Sequence, residues 1–548
     1  MKTSMKTSMM RAMVLLAVLS GTAVQGAEPS PFETEAAPLP QTEIDKLVFG
    51  ELRQLGIPPA NVCSDSVFLR RVYLDVIGTL PTADEVKAFL EDQSPRKRAA
   101  LIDRLLERPE FADYWAMKWS DLLRVKGVVP INLWPDAAQA YHRWIRTCIK
   151  ENVPYDRFAR ELLTASGSNV RVPQANFYRA VSSKDPASIA GAVALTFLGE
   201  RAERWPKERL AGMAALFSQV GYKPTSEWKE EIVFWDFNKA DAPTSAIFPD
   251  GTRVDLPADK DPRIIFADWL ITPKNPWFTR NIANRVWSWL LGRGIIHEAD
   301  DVRPDNPPSN PELLAFLEKE FITARYDMKY LYRLILNSRT YQLSSVAKSD
   351  RPEAKANFAS YRVRRMEAEV LMDALNQLSV TMEKYSSGVT EPNTFIPETQ
   401  RAIELADGTL TSPFLTLFGR PMRATGMESE RNNLPTPAQE LYLLNSNQIR
   451  AKMERIRTVH VPPRAKAEEV ATSLYLAILS RYPTEEESKT VAAYLNPAST
   501  AADAPGAEKD KAPPPKAPPG KAPAQKPPDR LLDLVWALVN SEEFLYRH

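Results

Sequence analysis

Soft metal ligands are scarce in this chain. Its 548 residues include four histidines and two cysteines, whereas haem attachment, zinc sites and disulfide-dense scaffolds need clusters of those side chains. His142 and Cys148 are six residues apart and fall on different faces of a helix, while His297, His460 and His548 are isolated. With no serine or cysteine in a recognisable relation to them, nucleophilic catalysis is disfavoured. A glycine-rich phosphate loop and a zinc-protease helix are also missing. So is a surplus of one charge: 70 basic residues face 69 acidic ones, which argues against nucleic acid as a partner. No apolar run approaches the roughly 20 residues of a bilayer span, so no transmembrane anchor is expected.

What the chain does have at its start is an export pattern. Lys2, Lys6 and Arg11 precede the apolar run Ala12 to Leu19, and small residues follow from Gly21 to Ala27. This layout predicts a signal peptide over 1–27, cleaved near Gly26 or Ala27, and a protein exported to the periplasm or beyond the cell. In that oxidising setting a bond between Cys63 and Cys148 would remove denatured-chain entropy of about 4 kcal/mol. Two separately buried thiols fit the sequence equally well.

The remainder reads as mainly α. Leu101, Ile102, Leu105 and Leu106 form one helical stripe; Leu313, Leu314, Leu317 and Phe321 form another. Asp185-Pro186, Asp261-Pro262 and Asn310-Pro311 each place a side-chain acceptor at a helix cap and a proline at the first helical position. Strand signals concentrate between Glu231 and Pro257, where Ile232-Val233-Phe234 and Thr252-Arg253-Val254 flank an Asp250-Gly251 turn, predicting a small hairpin connector. Pro497 to Pro528 is rich in Ala, Pro and Lys and predicts a disordered insertion.

Two repeats link distant parts of the chain. Tyr73-Leu74, Pro81-Thr82 and Glu85 are echoed by Tyr475-Leu476, Pro483-Thr484 and Glu487, each copy ending in a capping box. The runs Leu105 to Glu110-Phe111, Leu334 to Asn337-Ser338 and Tyr341, and Leu538 to Asn540-Ser541 and Phe544 read as helix ends closed by an aromatic. A shared packing solution accounts for both repeats, with duplication of a helical unit the alternative. Tryptophans such as Trp115 and Trp119 share one helix face; this suits core packing, with sugar stacking the alternative.

Phe68-Leu69-Arg70-Arg71-Val72-Tyr73-Leu74-Asp75, Gly78, Leu80-Pro81-Thr82, Arg108-Pro109-Glu110-Phe111 and Trp119 resemble the first of two paired domains of unknown function. Such domains occur in exported planctomycete and verrucomicrobial proteins and are associated with planctomycete cytochrome c. The second domain is similar at Asp261-Pro262-Arg263, Asn284-Arg285-Val286-Trp287, Gly292-Arg293-Gly294-Ile295, Asp300-Asp301, Pro307-Pro308-Ser309, Pro311-Glu312-Leu313-Leu314, and Ser338 with Tyr341. The resemblance implies a CxxCH cluster after Phe197-Leu198-Gly199, yet the chain runs through Glu200-Arg201-Ala202-Glu203-Arg204-Trp205. Near Phe418-Gly419-Arg420-Pro421 and Arg423 it implies a CxCER run, where Met427-Glu428-Ser429-Glu430-Arg431 stands instead. Loss of both thiol motifs fits the removal of a single metal or haem site, and drift at two loops also fits. No cofactor is expected.

Asp300, Asp301, Arg303 and Asp305 invite a hard cation or a set of caps and salt bridges. Asn284, Arg285, Glu430 and Arg431 read as buried pairing groups within the best-matched motifs. The expected organisation is a helical domain over 43–225, a connector over 226–260, a second helical domain over 261–496, a linker over 497–529, and a helix over 530–548 packing back on the second domain. The expected function is cofactor-free binding or scaffolding in a cell-envelope assembly, with protein or polysaccharide partners. The alternatives are a hydrolase or polysaccharide-modifying enzyme using carboxylates near Asp300, Asp301 and Glu430, and an accessory to electron transfer.

Overall fold

Several helices in the computed structural model begin where an acceptor side chain precedes a proline. Asp185, Asp261 and Asn310 accept the backbone N–H groups of Ser188, Arg263 and Leu313, each with proline at the first helical position. Thr82 with Glu85 and Thr484 with Glu487 close complete capping boxes. The structure describes residues 30–35, 37–389, 392, 394–496 and 529–548. The expected signal peptide and the tract Pro497 to Pro528 lie outside these residues.

The chain is mainly helical. Its first part forms α1 (Glu43–Gln54), α2 (Asp65–Val76), α3 (Ala83–Glu91), α4 (Lys97–Glu107), α5 (Pro109–Leu122), α6 (Pro135–Lys150), α7 (Tyr155–Leu163), α8 (Pro186–Val193) and α9 (Lys207–Ala214). The second part forms α10 (Pro262–Leu270), α11 (Phe278–Leu291), α12 (Pro311–Thr323), α13 (Met328–Leu336), α14 (Pro352–Ala356), α15 (Ala368–Ser379), α16 (Pro413–Leu417), α17 (Pro437–Asn445), α18 (Asn447–His460), α19 (Ala467–Leu474) and α20 (Glu485–Leu495). Then come α21 (Arg530–Val539) and α22 (Glu542–Leu545). Among the described residues no helix is long and apolar enough to cross a membrane.

The connector differs from the expected single hairpin. The strand β3 (Glu231–Trp235) pairs antiparallel with β2 (Val220–Pro224) and with β1 (Gly167–Ser168), so this sheet straddles the expected boundary at residue 225. The Asp250-Gly251 turn closes a separate ribbon of β4 (Ser245–Ile247) and β5 (Arg253–Asp255). Gly251 has a φ of +88°, and Asp250 accepts the N–H of Thr252 at 2.8 Å, so the turn joins its immediate flanks.

Apolar side chains of both halves merge into one core. Trp115 and Trp119 on α5 both pack against Trp289 on α11, with ring centroids 5.4 and 6.0 Å apart, and Tyr155 stacks on Phe278 at 4.7 Å. These tryptophans are core residues.

Two consecutive arginines on α2 hold this core to the chain's last elements. Arg70, fully buried, donates to the carbonyls of Ile478 and Phe544 at 2.8 and 2.9 Å. Arg71 donates to the carbonyls of Tyr341, Leu343 and His548. The aromatic helix ends they cap are built alike. Ser338 and Ser541 each donate to the carbonyl three residues earlier and accept the N–H of Tyr341 and Phe544. The other repeat also recurs in geometry: Gly78 and Ser480, at equivalent positions, both have a φ of +60°. A Cβ at Gly78 would come within 2.6 Å of the Tyr114 ring, so only glycine fits the first copy.

Asp75, at the end of α2 and 1% exposed, gathers the second half around it. It accepts from the Tyr341 and Tyr361 hydroxyls at 2.9 and 2.8 Å, from Arg364 at 3.1 Å and from Arg547 at 3.0 Å. Arg364 and Arg547 lie opposite each other in β6 (Arg364–Arg365) and β7 (Tyr546–Arg547). The Asp75→Asn variant leaves two buried guanidinium groups short of a counter-charge, and we expect a loss of about 3–5 kcal/mol in urea unfolding. A change below about 1 kcal/mol would show that the carboxylate does not organise the junction.

Candidate functional site

The start of α15 brings two carboxylates into the junction. Glu367 stands at the cap and Glu369 in the first turn, where the helix dipole favours negative charge. Around them run two alternating rows of charge. The first is Arg364, Asp75, Arg547, Glu367 and Lys118, with the Lys118–Glu367 pair at 2.6 Å. The second is Arg420, Glu369, Arg431, Asp121 and Arg423, with contacts of 3.2, 2.7, 2.7 and 2.8 Å. Lys118 and Asp121 come one turn apart from α5 of the first half; most of the others come from the second.

Burial opposes ionisation of Glu367, but Arg547 and then Lys118 hold it well below its ordinary range. Glu369 is likewise buried, yet Arg431 and Arg420 bring it down to about 2. Burial also works against the charge of Lys118, and Glu367 overcomes this to raise its pKa.

Beside these rows lies a cleft of about 260 Å³. Its walls include Lys118, Trp289, His297, Arg364, Arg365, Glu367, Glu428, Arg431 and Arg547. Of the residues expected to matter, Arg431 lines the cleft itself. Arg285 and Asp300, each 1% exposed, pair at 2.7 Å just behind Glu428. Asp300 also accepts the Glu428 N–H at 2.6 Å. Asn284 serves the backbone, exchanging hydrogen bonds with both the N–H and the carbonyl of Ile296. Asp301 faces Arg204 and Arg303, and Arg303 in turn reaches Asp305. Glu430 is engaged by the N–H groups of Ala424 and Thr425 and by the Thr425 hydroxyl. Asp300 and Glu430 are thus each engaged by neighbouring groups of the fold.

Segments 200–205 and 427–431, where the resemblance implies thiol motifs, both reach the 298–302 loop. Arg201 and Arg204 pair with Glu298 and Asp301, while Glu428 binds Asp300 through its backbone N–H. Glu200 is buried and accepts from the indoles of Trp205 and Trp277 and from Arg209. Among the described residues, no group of three His, Cys, Asp or Glu side chains is placed to hold a metal.

Both cysteines are free and buried. The structure therefore takes the unpaired alternative for Cys63 and Cys148. Cys63 lies under Arg98, which donates to its carbonyl at 2.8 Å. Cys148 borders a small aromatic cavity with Trp119, Tyr155 and Phe158, and burial pushes its thiol up to about 12.

Sequence reasoning missed Lys118, Arg364, Arg365, Glu367 and Arg547. The Arg362-Val363-Arg364-Arg365 stretch was the available signal for two of them; Lys118, Glu367 and Arg547 had none.

Fold and site together define a helical protein of two modules that share a core and meet at a charged cleft. Residues 43–204 match a family model described as PSCyt2, protein of unknown function (DUF1549), and residues 262–495 match one described as PSD1, protein of unknown function (DUF1553). The chain belongs to the proteins that pair these two domains, the planctomycete cytochrome c-associated family. No curated protein and no solved structure matches it.

Acid should act first on the charge rows. Glu367 and Glu369 have depressed pKa values when folded, so their stabilisation is complete above their ordinary value of 4.5 and is lost as pH falls toward about 2. Asp373, which burial pushes up to about 6, works in the opposite direction as a single group. Melting temperature should therefore fall steeply between pH 4.5 and 2, and a flat profile across that window would contradict the assigned pairing.

Proposed function

We propose that this protein is an exported binding component of a cell-envelope assembly, with its ligand held in the cleft where the two family domains meet. The supporting observation is the cleft's composite wall: Lys118 comes from the DUF1549 part, Trp289, Arg365, Glu367 and Arg431 from the DUF1553 part, and Arg547 from the strand beyond it. A ligand there touches both modules at once. Its cationic groups are fixed by neighbours before any ligand arrives, which lowers the ordering cost of recognition. Export is supported by the basic residues and apolar run at the start of the sequence.

Hydrogen–deuterium exchange of the purified protein with a soluble cell-envelope polysaccharide or protein fraction tests the binding role. Protection is expected in 288–299, 364–367 and 428–433, the segments that line the cleft. Protection confined to other surfaces, or none with any fraction, would sink the proposal. Mass spectrometry of the protein from its native cells should find an N-terminus after Gly26 or Ala27; an intact start in the cytoplasm would remove the export part.

A further inference from the structure

We infer that the interdomain cleft recognises an oxyanion on its ligand, either a carboxylate or a sulfate or phosphate ester, with Arg365 as the main unpaired cation. The inference rests on the reading that this cleft is the ligand site. Charge balance in its walls and in the residues paired directly behind them carries the argument. Each buried row alternates three cations with two carboxylates: Arg364, Arg547 and Lys118 share Asp75 and Glu367, while Arg420, Arg423 and Arg431 share Glu369 and Asp121. Both rows thus carry positive charge in excess.

Arg365 adds to that excess. It is 5% exposed, lines the cleft, and forms no ion pair among the described residues. Its guanidinium donates to neutral oxygens only, the Gln439 side chain and the Phe418 carbonyl, and its Nε has no hydrogen-bond partner. Burial of such a charge without a counter-charge is unfavourable, so an anion brought beside it relieves that cost. The rim has the same sign. Arg362 is exposed and donates to the carbonyl of Gly292, a lining residue, while the neighbouring Arg293 keeps a buried Nε without a partner. Neither arginine has a carboxylate partner among the described residues. Burial, and then the nearby Arg362, lowers the pKa of Arg293. His297 in the wall is lowered by burial and by both arginines.

Acidic wall residues offset only part of this. Glu298 is committed to Arg201, and Glu428 lies 3.8 Å from Arg285, which Asp300 already neutralises. A guanidinium fork suits planar or tetrahedral oxyanions through paired N–H donors. The volume, about 260 Å³, lies just below the range typical of drug-sized ligands, so the recognised part is a terminal group or a single sugar unit.

Titration calorimetry on the full mature chain tests this with sodium sulfate, sodium phosphate and sodium malonate, each at constant chloride, alongside a neutral oligosaccharide in the exchange experiment above. We expect at least one anion to bind, to weaken as sodium chloride rises, and to weaken about tenfold or more in Arg365→Gln. Arg362→Gln, on the exposed rim, should weaken it a few-fold with the melting curve unchanged, and it decides the question if Arg365→Gln does not fold. Sulfate or phosphate binding without malonate assigns an ester; the reverse assigns a carboxylate. Anion binding that neither variant alters would overturn the inference. If a neutral oligosaccharide protects the cleft and no anion binds, the oxyanion inference fails while the binding role stands. If neither ligand class engages the cleft, both fail.

Discussion

A single buried carboxylate sets the terms for the rest of this structure. Asp75 sits at the end of α2, inside the shared core, where an isolated charge would be strongly unfavourable. Its four partners, Tyr341, Tyr361, Arg364 and Arg547, come from parts of the chain more than 260 residues away. Satisfying Asp75 therefore requires the DUF1553 part and the final strand to close over the DUF1549 part. Burial of the apolar seam between α5 and α11 supplies the non-directional attraction, and the carboxylate supplies the register.

Arg70 and Arg71 extend the same logic to uncharged partners. Each donates to backbone carbonyls of chain segments hundreds of residues away, which burial would otherwise leave short of partners. The two modules are consequently one folded body rather than beads on a linker. The cleft is a by-product of this closure, since the charge rows that stabilise the junction also wall a cavity they do not fill.

Much of the local structure was legible in the residues themselves. The Asp-Pro and Asn-Pro caps, the Thr-Glu capping boxes and the aromatic helix ends depend on neighbours within a few positions, so their geometry follows from short-range hydrogen bonding. Arg285 and Arg431 were read as pairing groups from their motifs, but their partners, Asp300 for Arg285 and Asp121 with Glu369 for Arg431, were not legible because they lie outside the local stretch of chain. Strand pairing was not legible: Ile232-Val233-Phe234 looked complete beside the Asp250-Gly251 turn but found its partners in Val220–Pro224 and Gly167–Ser168. Register across a sheet is decided by what else must be buried, and here that was the end of the first module.

The amino-acid sequence alone determined the helical class, the places where helices begin, the pairing of two domains and the scarcity of soft ligands, since each of these depends on composition or on residues close in the chain. Which charges would share a wall was decided only by tertiary structure. Lys118, Arg365, Glu367 and Arg547 lie up to 429 positions apart, and no local pattern marks a lysine on one helix as the neighbour of a glutamate at the cap of another. Long-range electrostatic placement is a property of the closed core, because only burial makes a missing counter-charge matter.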